Sequence, residues 1–384
     1  MKSANDKVVL ALIGAGGRGT FIILGMQKCT PGVEVKYVCD VDKERGGRAI
    51  SELEKQQKVK PVWIEDMRQA MDDKDVDGVV IATPEQWHAL ATIWACQAGK
   101  DVYVEKNISL NITEGRKMAE AARKYKRIVQ CGWQNRSAKY NMFVRDYLKA
   151  GKLGKISLFK INYMLPGAGN KPLLVKEDTE VPAGLNWDMW LGPAPDRPYN
   201  LSRHKSYNEF WDYSCGILMA DCSHALDLSR MVLGDPDYPK SVFCTGGREL
   251  FDDKREVPDS QIITFDMGEF PLTIEAISSG EYMSKTSAEI RYGDKFPNWP
   301  FNGDRIEIYG TEGMMCLGRT GAGFQVLGEG AKVIAEDYGT APDEDHWRNY
   351  IDCIRTRNLP NADIEQGHRS ATNVHLANLA YRVG

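Results

Sequence analysis

Residues 7–19 constrain the fold of this 384-residue chain more than any other stretch. A dense apolar run over 7–13 passes straight into Gly14-Ala15-Gly16-Gly17-Arg18-Gly19, and the periodicity predicts a helix over 20–29. This is G-x-G-x-x-G in the order strand, turn, helix. The first glycine permits the tight turn, the second lets backbone approach a pyrophosphate, and the third lets helix and strand pack closely. Glycine is plentiful here, so turn glycines alone would be a bland explanation. The next strand, over 33–39, ends at Asp40, roughly twenty residues past the last glycine, where the fingerprint asks for an acid. A carboxylate there accepts hydrogen bonds from ribose hydroxyls and repels a 2′-phosphate. NAD is therefore the expected cofactor, in preference to NADP.

Alternation of strand and helix continues. Residues 62–64 read as a strand and a helix follows near Glu65; residues 77–82 read as another buried strand. Thr83-Pro84-Glu85-Gln86 has the makings of a helix start, with Thr83 as cap, Pro84 at the first helical position and Gln86 completing a capping box. That helix carries Trp87 and His88 in its first turn and runs to Ala98 before Gly99. His88 reads as a packing or cap-region histidine, or as a group beside the cofactor crevice. Asp101-Val102-Tyr103-Val104 is a short apolar strand that stops abruptly at Glu105-Lys106-Asn107. Two readings are open: a solvated turn, or two ionisable groups delivered to the carboxyl edge of an open sheet, where ligands bind. A helix over 113–125 and a strand over 127–131 complete six strands, with Lys106 at the end of the fifth. The expected architecture is α/β: an N-terminal dinucleotide-binding domain over 1–133, then a C-terminal α+β domain over 134–384 with a large, mostly antiparallel open sheet.

Beyond Gly132-Trp133-Gln134-Asn135-Arg136 the periodicity changes. A helix over 138–149 leads to a strand over 156–163, and then residues 165–213 form a long stretch rich in Pro, Gly, Trp and Asn. A loop of that length in a compact protein is usually functional. Trp187, Trp190 and Trp211 offer flat faces suited to sugar rings, and ordinary burial of large aromatics explains them equally. A helix from Cys215-Gly216 to Val232 carries Ala220, Asp221 and His224. Strands are expected over 241–245, 261–265, 272–278, 288–292, 305–309 and 324–327, and helices over 345–355 and 364–381.

Bulk properties exclude several classes. A net charge of -4 gives no basic field, so nucleic acid is not an expected partner. No apolar run reaches membrane-spanning length, and residues 1–7 lead into the first strand without a secretory apolar region. Nine cysteines at irregular spacing, with no Cys-x-x-Cys, argue against a disulfide framework and a zinc ribbon, and no metal is expected. A cytoplasmic home follows; a periplasmic one stays open should a leader have preceded Met1.

Taken together, the glycine loop, Thr83-Pro84 followed by His88, the Glu105-Lys106 pair and His224 in the helix after Gly216 resemble the oxidoreductases named after glucose-fructose oxidoreductase, inositol dehydrogenase and rhizopine catabolism proteins. Gly132-x-Gln134-x-Arg136, Trp187-Asp188-x-Trp190-Leu191-Gly192-Pro193 and His346-Trp347 look like a subgroup of carbohydrate-degrading bacteria. The resemblance implies cofactor contacts from Gly14, Gly16, Gly17, Arg18, Gly19, Asp40, Thr83, Pro84, His88, Glu105, Lys106 and Gln134. It implies substrate contacts from Lys106, Arg136, Tyr163, Trp187 and His224, with Lys106, His224 and Asp221 catalytic. It further implies a carbohydrate substrate, and a homodimer or homotetramer assembled through the C-terminal sheet. In the expected chemistry His224 accepts the hydroxyl proton and Lys106 stabilises the developing alkoxide. Two departures stand out. Asn107 replaces the proline of Glu-Lys-Pro, and the family's Asp-x-x-x-His is shifted, with Ala220 four residues before His224 and Asp221 three before it. Positions three and four apart on a helix both neighbour the histidine. Three functions follow: an NAD-dependent sugar dehydrogenase, an NAD-retaining glycoside-cleaving enzyme working by transient C3 oxidation, and a non-catalytic NAD or sugar sensor.

Overall fold

A computed structural model describes residues 7–164, 171–278 and 282–384. The start of the chain, read as lacking a secretory region, and the first six residues of the long loop over 165–213 lie outside the described residues.

Six short strands, β1 (Val8–Ile13), β2 (Val33–Cys39), β3 (Val62–Ile64), β4 (Gly78–Ile81), β5 (Asp101–Val104) and β6 (Val129–Cys131), form an all-parallel sheet in the order β3-β2-β1-β4-β5-β6. Helices cover both faces, which is why β1, β4 and β5 are buried along almost their whole length instead of alternating. The order reverses between β1 and β4, and a doubly wound sheet opens its ligand crevice at that point. The glycine loop follows β1, and Lys106 follows β5.

A second sheet has eight strands: β7 (Ile156–Met164), β8 (Ser241–Gly247), β9 (Ser260–Asp266), β10 (Pro271–Ile277), β11 (Arg305–Gly310), β12 (Gly313–Gly318), β13 (Phe324–Leu327) and β14 (Val333–Asp337). Their order is β14-β13-β12-β11-β7-β10-β9-β8, and every pairing is antiparallel except that of β7 with β10. One face packs on the helix Ile217–Val232 and on parts of Lys139–Lys149 and Ile364–Val383.

Three local expectations fail. Residues 288–292 alternate apolar and polar like a strand, yet they form the helix Ala288–Arg291, because the Ser287 side chain accepts from the Ile290 amide and caps a turn. Thr83 does not cap a helix: a 3-10 turn Glu85–Trp87 intervenes, and Gln86 donates instead to the Trp190 carbonyl at 3.1 Å. The stretch over 165–213 holds the short helices Trp187–Leu191 and Leu201–Lys205.

The end of the chain returns to the beginning. Helix Asp343–Thr356 buries Trp347, Tyr350, Ile351 and Ile354 among Leu10, Leu12, Ile22 and Ile23 of β1 and the helix Gly17–Cys29. The two helices approach so closely that a Cβ on Gly25 would lie 2.0 Å from the Trp347 ring. Truncating a buried tryptophan of this kind costs about 3–5 kcal/mol.

Candidate functional site

Two connected cavities lie along the carboxyl edge of the first sheet. The larger, about 1110 Å³, is lined by Gly14 to Arg18, Asp40, Thr83 and Pro84 among others. Gly14 sits at φ +88°, and a Cβ there would lie 2.7 Å from the Ala82 carbonyl, so only glycine fits. Gly19 faces the Gly14 carbonyl at a hypothetical Cβ distance of 2.1 Å, which is the close helix–strand packing the third glycine provides. Helix Gly17–Cys29 starts without a side-chain cap, so its first amides are left for a ligand. Asp40 closes β2 and steadies the loop as well as lining the cleft: Oδ2 accepts from the Ala15 amide at 2.7 Å and Oδ1 from the Asp42 amide at 2.9 Å. Burial pushes its carboxyl pKa up against those hydrogen bonds. Thr83 Oγ1 is buried with no hydrogen-bond partner among the described residues, at a point lining both cavities. A glycine-only turn, uncapped amides and an orphaned hydroxyl fit a nicotinamide dinucleotide.

Part of the long loop straps this cleft. Lys43 N donates to the Gly184 carbonyl at 3.0 Å and Asn186 N to the Val41 carbonyl at 2.9 Å, fastening one side. On the other side Trp87 Nε1 donates to the Met189 carbonyl at 3.0 Å, and the chain crosses the Trp87 ring at Gly192, φ +54°, where a Cβ would lie 2.1 Å from the ring. Behind the strap, His204 lines the cleft with its Nε2 buried and unpartnered; burial holds its imidazole down at about 4.

The smaller cavity, about 380 Å³, shares Arg18, Ala82, Thr83 and Tyr207 with the first. Lys106 reaches it from the end of β5 and donates from Nζ to the Ala220 carbonyl at 3.0 Å. The Lys106–Asn107 peptide is cis. Asn107 is anchored on both sides: its carbonyl lies 2.6 Å from His88 Nδ1, and its Nδ2 donates to Cys215 Sγ at 3.3 Å. Buried Glu85 accepts from the Cys215 amide at 2.7 Å and so fixes the entry to helix Ile217–Val232. That helix brings Asp221 and His224 to the cavity, one turn apart.

Asp221 accepts from Arg319 at 3.2 Å and from the Tyr163 hydroxyl. Burial acts to raise its pKa, but Arg319, Lys106 and His224 outweigh it and hold the carboxyl well below the usual range. The His224 side chain makes no hydrogen bond to another described residue. Burial first, then Arg319 and Lys106, hold its imidazole well below the ordinary histidine value, against Asp221. It is therefore neutral at neutral pH, free to accept a proton. Glu105 Oε1 accepts from Arg18 at 3.1 Å, Tyr103 at 3.3 Å and Gln134 at 3.5 Å. That pairing, with Asp343, raises the Arg18 pKa despite burial.

The structure thus brings Lys106, Asp221, His224, Glu105, Gln134 and Arg18 to one cavity, with Gly14, Gly16, Gly17, Asp40, Thr83 and Pro84 in the adjoining cleft. Other expected contact residues lie outside both. His88 is buried between the Thr83 and Asn107 carbonyls and positions what carries Lys106. Arg136 is buried in an ion network with Asp227 at 2.8 Å and Asp235 at 2.8 Å. Trp187 stacks on Trp190 at 4.6 Å and donates to the Arg197 carbonyl. Tyr163 acts on the cavity only through Asp221. Sequence reasoning missed Arg319, which directly follows β12. Its signal was the run Met314-Met315-Cys316-Leu317 between glycines, which reads as a buried strand.

Two family profiles match the chain: the Gfo/Idh/MocA oxidoreductase family's NAD-binding Rossmann fold over residues 8–133, and that family's C-terminal alpha/beta domain over 153–251. The sequence is 26% identical over 229 residues to scyllo-inositol 2-dehydrogenase (NAD(+)) of Bacillus subtilis (strain 168), covering 59% of this chain and 54% of that protein. It is 28% identical over 156 residues to a glycosyl hydrolase family 109 protein of Shewanella sp. (strain W3-18-1), covering 39% and 34%. The chain spans about half the length of the curated relatives it matches, or less. Among solved structures, levoglucosan dehydrogenase in complex with NADH and levoglucosan superposes with a TM-score of 0.71 at 16% identity, covering 98% of each chain. The WlbA dehydrogenase of Bordetella pertussis in complex with NADH and UDP-GlcNAcA gives 0.68 at 18%, covering 98% and 97%. At those identities the likeness is one of fold.

Proposed function

The chain belongs to the Gfo/Idh/MocA oxidoreductase family, and from that premise we propose that it is an NAD-dependent dehydrogenase acting on a ring hydroxyl of a sugar or sugar derivative. One observation carries the reading: a neutral, unpartnered imidazole, His224, shares a 380 Å³ cavity with the Lys106 ammonium, and that cavity opens at Thr83 onto the glycine-loop cleft. Bound in the cleft by the glycine loop, the uncapped helix amides and Asp40, NAD would supply the hydride acceptor. His224 takes the hydroxyl proton as general base. Lys106, steered by the Ala220 carbonyl, donates to the same oxygen and stabilises its developing negative charge. Asp221, fixed by Arg319 and Tyr163, moderates the fall in the His224 pKa. Residues 1–133 serve as the cofactor domain and 134–384 as the substrate and assembly domain.

The outer face of the second sheet exposes Phe243 and Ile262 on neighbouring strands, which supports association of copies through that sheet as a dimer or tetramer. Nine cysteines without a disulfide support a cytoplasmic home. Among the described residues no helix is long and apolar enough to cross a membrane.

A second reading is glycoside cleavage with NAD retained through transient oxidation, and the strap fastened to both walls of the cofactor cleft favours it. One experiment separates the two. Purified protein is incubated with NAD and a panel of aldoses, cyclitols and aryl glycosides, following nicotinamide absorbance and aglycone release together. NADH accumulating with oxidised sugar is expected. Aglycone release without net NADH would replace the dehydrogenase reading, and neither signal would sink both.

A further inference from the structure

The smaller cavity is unbalanced in charge. Five cations line it, Arg18, Lys106, Lys285, Arg291 and Arg319 being those five, against the three acids Glu105, Asp221 and Asp343. Every acid is taken: Glu105 by Arg18 at 3.1 Å, Asp343 by Arg18 at 3.9 Å, Asp221 by Arg319 at 3.2 Å. Lys285 has no hydrogen bond or ion pair with any described residue. Arg291 donates from Nε to the Thr286 carbonyl at 3.1 Å, and its own carbonyl accepts from the Ala341 amide at 2.9 Å. Its backbone is wedged as well, since a Cβ on Gly321 would lie 2.8 Å from the Arg291 carbonyl oxygen. The two terminal guanidinium nitrogens of this held arginine make no hydrogen bond to a described residue, and its charge reaches Asp343 only from beyond ion-pair distance.

The cofactor's phosphates do not explain the surplus. Arg18 and the glycine loop face the larger cleft, whereas Lys285 and Arg291 line only the smaller cavity. A neutral sugar would fill that cavity and strip water from the half-buried Arg291 while giving it no counter-charge, which is costly, whereas exposed Lys285 stays solvated at the rim. A guanidinium with a free fork, beside an ammonium, is instead suited to two-point capture of an oxyanion.

Resting on the dehydrogenase reading, we propose that the substrate is an anionic carbohydrate, a sugar acid or a sugar phosphate, whose oxyanion is held by Arg291 and Lys285. These two residues set specificity; Lys106 and His224 act at the hydroxyl that is oxidised. A substrate fixed at both ends is oriented as well as bound, so the charge contributes to turnover and not only to affinity.

The test uses matched probes: glucose, glucuronate and glucose 6-phosphate, and galactose with galacturonate, each assayed for NADH formation and for binding to the NAD-loaded protein by thermal shift. An anionic member is expected to exceed its neutral parent in kcat/KM by about tenfold or more, a difference of about 1.4 kcal/mol. The carboxylate and phosphate arms identify which oxyanion is preferred. In R291Q the anion-to-neutral ratio should fall by about tenfold, and in K285Q, at an exposed position, by several-fold. Equal or better use of the neutral sugars, or a ratio unchanged in both variants, overturns the proposal and leaves the dehydrogenase reading standing. Preferential binding of an anionic sugar with no NADH formed supports the anion site and sinks the dehydrogenase reading. No shift with any probe overturns the anion site.

Discussion

Replacing Arg319 by methionine tests the electrostatic frame of the cavity, because this buried guanidinium faces two acids, Asp221 at 3.2 Å and Asp304 at 3.7 Å. Methionine keeps most of the volume and removes the charge. Stranding the partner of a buried ion pair costs about 3–5 kcal/mol. Unfolding entropy of about 2.1 cal/mol/K per residue gives roughly 0.8 kcal/mol/K for 384 residues unfolding together, so Tm should fall by about 4–6 °C near neutral pH. The pH dependence sharpens the test. In the wild-type protein Asp221 is held below the usual carboxylate range, so its stabilising contribution is fully present above the unfolded-chain pKa of about 3.9 and is lost as pH falls through the lower folded value. Without Arg319, Asp221 loses the strongest of the influences that lower its pKa, so its folded value moves back toward the unfolded one and its stabilising contribution shrinks. The Tm gap between variant and wild type should therefore be wide at neutral pH and narrow as pH falls below about 4. Differential scanning calorimetry across that range is the assay. A variant melting within about 1 °C of wild type, or a gap that stays constant with pH, refutes the reasoning.

Three further outcomes follow from the site. K106M should reduce kcat by about 10²–10³ while leaving the NAD dissociation constant within about threefold, since the ammonium acts on the alkoxide; unchanged kcat with a true substrate sinks that role. His224→Asn should lower kcat/KM by about 10²–10⁴, and because the wild-type imidazole is held below 6.5 by burial, Arg319 and Lys106, the acid limb of the wild-type profile should lie below that pH; a limb at or above it contradicts the assignment. Gly14→Ala forces a Cβ to 2.7 Å from the Ala82 carbonyl at φ +88°, so the loop must shift and NAD affinity by fluorescence titration should fall at least about tenfold; an affinity within threefold of wild type would place the nucleotide elsewhere.

Much of the fold was readable where structure is local. The strands of the first sheet are short apolar runs closed by turn residues, and their edges put Gly14, Asp40 and Lys106 where they are found. Local pattern failed where a distant partner decided the outcome. Gln86 fits a capping box by spacing, but the Trp190 carbonyl, 104 residues later, takes its amide. Arg136 looks like a substrate residue beside Gln134, yet Asp227, 91 residues away, holds it in a buried pair. Residues 288–292 alternate like a strand and were turned into a helix by one serine cap. In the site, Lys106 and His224 were legible from their elements, whereas Arg319, Arg291 and Lys285 come from the second sheet and its loops, whose approach to the first no periodicity records.

The return of helix Asp343–Thr356 to the first sheet sets a timetable for synthesis. Trp347 and Tyr350 close the core around β1 and the helix Gly17–Cys29, but they leave the ribosome more than 300 residues after that strand and helix. Until then Leu10, Leu12, Ile22 and Ile23 lack the surface that covers them. The nucleotide-binding half, though first out, is completed last, and a nascent chain carries an open apolar face of the kind that recruits chaperones. A premature stop ahead of Trp347 would therefore leave the core behind the glycine loop uncovered, more than 300 positions upstream of the lesion.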